Sequence, residues 1–334
     1  DKIISGLEVD QFGNVWVYTR KERDWYFYGT GLISGTYLWR YDGQTWHKHE
    51  GVYGPLTLDP QKNLFAVDSL FCNESYNPPC LFNIVSFNGS KFVSKGRSKV
   101  DEDWAFIALA HIAQDSKGNL WISYCGERYG STYGVVCNNT IYTTLDGLAD
   151  DNVRSITTDE SGNVWCATDG GISKFTGNSW VTYDTTKGIV SNLVYRILIG
   201  SDKTLYAATS KGISILRSNQ WKTLKTINEP PHNSYTDMVV DKRDAVILSG
   251  SDHIAIYNDL QWKSNYFRDI RFKARGNYYV TDPEYYKSFI KSEDGTIYAI
   301  GNEIMGNEIE KGCILKQGTD GSTFFKAFSL TLEK

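Results

Sequence analysis

The chain has 334 residues, a formal net charge of -4 and 41% hydrophobic residues. That balance excludes a disordered chain, and nothing basic enough to bind nucleic acid stands out. No apolar run approaches the length needed to span a bilayer. Aromatic residues make up 14% of the chain, with Trp 10 and Tyr 22 against Met 2, which favours strands because such side chains suit a pleated, half-buried surface.

In chain order, an apolar strand at about 3–9 runs into DQFGNVW (10–16), the signal returns in a weaker form as DPQKNLF (59–65), and it returns in full as DSKGNLW (115–121) and DESGNVW (159–165). Weaker copies follow at GSDKTLY (200–206), DKRDAVI (241–247) and SEDGTIY (292–298). The last position of the motif is Trp16, Phe65, Trp121, Trp165, Tyr206, Ile247 and Tyr298, so six of seven copies end on an aromatic ring. A second signal keeps step with the first: YDGQTW (41–46), FNGSKF (87–92), CNNTIY (137–142), FTGNSW (175–180), LRSNQW (216–221), YNDLQW (257–262) and a degenerate TDGSTFF (319–325). Asx-Gly turns of this kind close hairpins, so each repeat reads as four antiparallel strands. Four strands repeated every forty to fifty residues predict an all-β, seven-bladed β-propeller, with blades at approximately 1–52, 53–96, 97–148, 149–192, 193–233, 234–268 and 269–334. The ring is expected to close by blade-to-blade packing, without a strand exchanged between the termini.

The stretch 147–192, GLADDNVRSITTDESGNVWCATDGGISKFTGNSWVTYDTTKGIVSN, resembles a repeat of the two-component regulator propeller family, and the array as a whole resembles that family across the chain. The resemblance implies the fold and a place among periplasmic sensor regions of bacterial hybrid histidine kinases, or among free-standing secreted or lipid-anchored proteins. A single ring with no following immunoglobulin-like region, membrane helix or kinase is expected to be free-standing. The resemblance implies no particular ligand, because propellers host unrelated functions.

Tight turns fall between the first and second and between the third and fourth strands, so long connections are expected to gather at the opposite end. These are 20–36, 68–80, 94–106, 125–134, 224–235, 264–287 and 301–312. They carry Arg23, Trp25, Tyr26 and Tyr28, then Trp104, then Glu127, Arg128 and Tyr129, and finally Tyr279 and Tyr286. Flat apolar rings beside carboxylates and guanidinium groups are what an oligosaccharide or peptide site needs, and these ten residues are the predicted ligand-binding set. Loops of this length also pack on themselves through aromatic anchors, and that reading stands beside the first.

Catalytic machinery is not expected. His47 and His49 share one face of an outer strand with no third metal ligand in view, His111 reads as a core or channel residue, and His232 and His253 approach the loop end. Metal-dependent propeller lyases and lactonases place histidines and carboxylates on the channel; the inner strands SGLEV, RSITT and RILIG are mostly apolar or hydroxylic, Glu8 being the exception. The repeated Asp of the first motif is turn chemistry, capping local amides. Cys72 with Cys80, and Cys125 with Cys137, flank loops whose ends should meet and are candidate disulfides for an oxidising compartment, while Cys166 and Cys313 read as buried thiols. Sequons at Asn73, Asn88 and Asn138 would carry glycans only in a eukaryotic host.

The leading expectation is a non-catalytic, extracytoplasmic protein — periplasmic, cell-surface or secreted — that binds a glycan or peptide, with no cofactor, no metal and no membrane span, a lipid anchor upstream being compatible. A protein–protein scaffold using the same end, and a metal-dependent lyase or hydrolase, are the alternatives.

Overall fold

The structure is a computed structural model. It describes residues 2–21, 37–58, 62–71, 80–100, 108–125, 134–200, 202–224, 237–241, 245–249, 253–258, 261–266, 277–279, 289–291, 297–305, 308–319 and 324–330.

Asp10, Asp115 and Asp159 each begin a turn that the sequence dictates almost atom by atom. The Asp159 amide donates to the Asn163 carbonyl at 2.9 Å and the Gly162 amide to the Asp159 carbonyl at 2.9 Å, and Gly162 takes a left-handed φ of 80° that a side chain would resist. The Asp159 carboxylate accepts the Ser161 and Asn163 amides at 3.0 and 2.9 Å, then the Trp165 indole N–H at 2.9 Å. Asp10 holds Trp16 in the same way at 2.7 Å, and Asp115 holds Trp121 at 3.0 Å. The carboxylate therefore clips the turn and also fixes the ring that the neighbouring sheet packs on.

Such hairpins build four-stranded antiparallel sheets. In the fourth repeat, Val153–Thr158, Val164–Thr168, Ile172–Phe175 and Trp180–Tyr183 pair in sequence order, with Trp165 facing Thr157 on one side and Lys174 on the other. The second strand is buried at every position, while the fourth is buried at none. A strand covered on both faces and flanked on both edges is the natural place for an unbroken apolar run.

Among the described residues the strands fall into seven sheets, each made of strands local in the chain. Their first strands touch in turn: Lys2–Val9 meets Tyr53–Leu58, then Ala108–Gln114, Val153–Thr158, Val194–Ile199, Asp237–Val240 and Phe289–Lys291, which returns to Lys2–Val9. The molecule is an all-β propeller, with helix confined among the described residues to two 3-10 turns at Thr144–Asp146 and Thr185–Lys187. The apolar core lies in the seams between sheets. Trp16, Leu38, Leu64, Phe87 and their neighbours fill the first seam, and Trp165, Ile172, Val194 and Leu205 fill the fourth. Each such side chain removed from water contributes about 1.5–3 kcal/mol, which a sheet standing alone could not collect.

Three details depart from the sequence reading. The segment 301–312, expected as a long connection, is instead the middle of a hairpin between Ile297–Met305 and Glu308–Gln317. Ile297–Met305 is longer than its partner Phe289–Lys291, and Asn277–Tyr279 pairs along the remainder, so this sheet has five strands. That extra strand satisfies backbone groups that would otherwise be unpaired.

Cys125 and Cys137 are not bonded: Cys137 is a buried free thiol. Cys137 stands opposite Trp121, whereas Cys125 lies four residues further along the same strand, opposite Ala108 on its other edge. Four residues of strand separate them by about 13 Å, twice the reach of a disulfide. Cys166 is a buried free thiol, as expected from its place in a strand, and burial pushes its pKa up. Cys72, and with it the pairing to Cys80, lies outside the described residues.

Candidate functional site

The first strand of a sheet repeatedly carries a bulge where it pairs with the second. Shifts fall between Ile4 and Gly6, opposite Ser123 and Tyr124, between Val153 and Ser155, and between Val194 and Arg196. A bulge re-aims the side chain beside it. In the third and fifth sheets the residue just past the bulge is His111 and Arg196, and both are buried. In the sixth sheet the matching position is Asp237, which faces Ser249 and is also buried.

These side chains meet. The Arg196 Nη1–H donates to His111 Nε2 at 2.6 Å, and Arg196 Nη2 lies 3.4 Å from the Asp237 carboxylate, both side chains of that ion pair being only 7% exposed. Glu8, buried in the first sheet, is near enough for its charge to act on Arg196. Ser123 sits opposite His111 in the ladder, fully buried, and its hydroxyl and the Arg196 Nε–H have no hydrogen-bond partner among the described residues. Four sheets thus send ionisable groups to one place.

Burial lowers the Arg196 pKa, and the Asp237 and Glu8 charges act in the opposite sense. A guanidinium has only donors, so the bond to His111 requires an unprotonated Nε2. The imidazole lone pair is spent on Arg196, and the guanidinium is shared between imidazole and carboxylate. Chemically this is a charge-assisted tie across the ring rather than an assembled acid–base pair. Among the described residues no three His, Cys, Asp or Glu side chains are grouped to hold a metal ion.

Arg23, Trp25, Tyr26, Tyr28, Trp104, Glu127, Arg128, Tyr129 and Tyr286 lie outside the described residues. Tyr279 ends the strand Asn277–Tyr279, where its backbone pairs with Asn302. Of the histidines, His47 pairs with Asp42 at 2.6 Å, and His49 packs its ring 5.1 Å from Trp16. Arg196 and Asp237 were not singled out by sequence reading, which grouped RILIG with the apolar inner strands. The signal that finds them is register: each lies two residues before the strand position facing the last residue of the first motif, as His111 does.

The model of the two component regulator propeller family matches residues 147–170. This stretch is a two-component regulator propeller repeat. No curated protein matches the chain. The extracellular domain of a hybrid two-component system assigned as BT3049 in B. thetaiotaomicron is similar in fold, with a TM-score of 0.60, 17% identity, 90% of this chain and 38% of that one covered. Two proteins assigned as 6-phosphogluconolactonases are also similar in fold. The one from Bacteroides uniformis has a TM-score of 0.52 and 10% identity, covering 89% of this chain and 92% of its own. The one from Bacteroides fragilis has 0.51 and 11%, covering 98% and 93%. The chain spans 38 to 48% of the length of the hybrid two-component system domains it matches. The regulator repeat therefore sits in a fold that a two-component system's extracellular domain and assigned enzymes share, and the fold alone does not separate them.

Proposed function

We propose that the protein is an extracytoplasmic, non-catalytic sensor-type propeller, a single ring of seven blades, that recognises a glycan or peptide at the end opposite its tight turns. The observation that carries this reading is the alternation of connections. The first-to-second and third-to-fourth turns of the fourth sheet, at 159–163 and 176–179, are closed by short backbone pairs. The aromatic-rich intervals 22–36 and 126–133 instead separate second from third strands. Antiparallel pairing sends these two kinds of connection to opposite ends, and selectivity gathers on the longer ones. The regulator repeat at 147–170 and the fold shared with a two-component system's extracellular domain support the sensor-type and extracytoplasmic parts.

The test is a glycan array and a peptide panel probed with wild type and with Trp25→Ala, Tyr28→Ala, Tyr279→Ala and Tyr286→Ala. Wild type is expected to select one ligand class, with single variants weakening it about tenfold, as for an aromatic anchor worth 1–2 kcal/mol. Failure of wild type to bind either panel would overturn the reading.

A further inference from the structure

A cavity of about 280 Å³ opens in the seam between the third and fourth sheets. Its lining comes from the tight turns at 115–119, 138–140, 161–163 and 176–177, so it sits at the end away from the proposed ligand surface. Trp121, Tyr142 and Phe175 line it, with ring centroids 5.4 Å apart for Trp121–Tyr142, 4.9 Å for Trp121–Phe175 and 5.5 Å for Tyr142–Phe175.

Three other sheets place a cation here, whereas the second, fifth and sixth place Ser86, Ile215 and Ile256. Opposite the motif aromatic, the third strand offers Arg40 facing Trp16, Lys174 facing Trp165 and Lys316 facing Tyr298. Each of these cations lies over an aromatic face: Arg40 is 5.2 Å from the Phe87 centroid, Lys174 4.7 Å from Trp165, and Lys316 5.8 Å from Tyr298. In the third sheet the equivalent of Arg40 is Cys137, facing Trp121. A thiol is too short to reach across the rings, and the cavity stands where the cation would be.

A second filler is missing as well. In the seam of the first two sheets, Phe12 lies against Gly89 and packs edge-on to Phe87 at 6.2 Å. The matching residue before Gly118 is Lys117, whose ammonium passes near Gly177 at the rim. The lining carries one charge of each sign, the Asp115 carboxylate and the Lys117 ammonium. The Cys137 thiol is pushed up to about 12, first by burial and then by the negative charge of Asp115, another lining residue.

We propose that this cavity is a cation–π site that takes an alkylammonium or guanidinium group, supplied by a small free cation or by a lysine or arginine side chain of a peptide. Such a group beside the Trp121, Tyr142 and Phe175 rings replaces the contact that Arg40, Lys174 and Lys316 make within the chain.

The test follows the Trp121 indole N–H resonance, assigned by its loss in Trp121→Phe, during titration with tetramethylammonium, ethylguanidinium and the neutral isostere 2,2-dimethylpropan-1-ol. Blocked Gly-Arg-Gly and Gly-citrulline-Gly peptides form a parallel arm. The cations should bind about tenfold tighter than the alcohol. Binding by the free cations alone identifies a small-molecule source, and preference for the arginine peptide over its citrulline twin identifies a side chain; either supports the site. Lys117→Gln should tighten binding by removing a like charge from the rim. Cys137→Arg supplies the chain's own guanidinium and should abolish it, with Cys137→Met as the uncharged filler if the arginine variant does not fold. Equal binding of alcohol and cation, or no shift with any cation in wild type and Lys117→Gln alike, would overturn the proposal. Neither result bears on the glycan and peptide panels, which address the other end.

Discussion

Asp159 does more than a turn residue needs to. One carboxylate satisfies the Ser161 and Asn163 amides and then reaches the Trp165 indole, a residue six positions on. Asp159→Ala leaves two amides and an indole N–H without their acceptor, and hydrogen bonds to a charged group are worth about 1.5–3 kcal/mol. The variant is expected to lose about 2–3 kcal/mol of unfolding free energy in urea, and Asp159→Asn less, since an amide oxygen still accepts. The turn role was legible in the sequence because Asp and Asn at such positions have few alternatives to capping local amides. The indole bond was not, since Trp165 is brought back over the turn only by the hairpin's pairing. The same limit explains Arg196. RILIG reads as an apolar inner strand, and the place of its arginine emerges only from the bulge beside it.

At the level of strands, the outer strand Trp46–His49 of the first sheet lies against the aromatics of the second. The His49 ring is 5.1 Å from Trp16 and 5.5 Å from Phe92. Burial, followed by the charges of Arg40 and His47, holds the His49 imidazole below its ordinary 6.5. As pH falls through that value the unfolded chain takes up a proton that the folded seam refuses, so acidification destabilises the fold. Melting temperatures of wild type and His49→Phe between about pH 7.5 and 5.5 should show a steeper decline for wild type, and parallel curves would contradict this. Strand order was readable from the paired motifs because Asx-Gly turns admit few alternatives to a hairpin. Strand length was not: in GNEIMGNEIEKG the glycines suggested a loop, yet Ile304, Ile309 and their neighbours continue the ladder. Cysteine spacing misled for a related reason, since loop ends in sequence are not neighbours across a register.

For the molecule as a whole, the decisive contact is a buried one that ties three sheets together. Arg196 joins the fifth sheet to His111 of the third and Asp237 of the sixth. Arg196→Met removes the cationic partner of the buried ion pair with Asp237, a change that costs about 3–5 kcal/mol. Urea unfolding should report that loss alike from probes in distant seams, whereas a loss confined to one seam would show the tie to be local. Beyond this tie, every sheet is assembled from strands that follow one another in the chain. A polypeptide leaving the ribosome can therefore finish each sheet before the next is synthesised. The joint between Lys2–Val9 and Phe289–Lys291 must wait until the seventh sheet has been made, and until then both of its faces stand open to water, which makes that joint the stage at which a nascent chain is most exposed to neighbours.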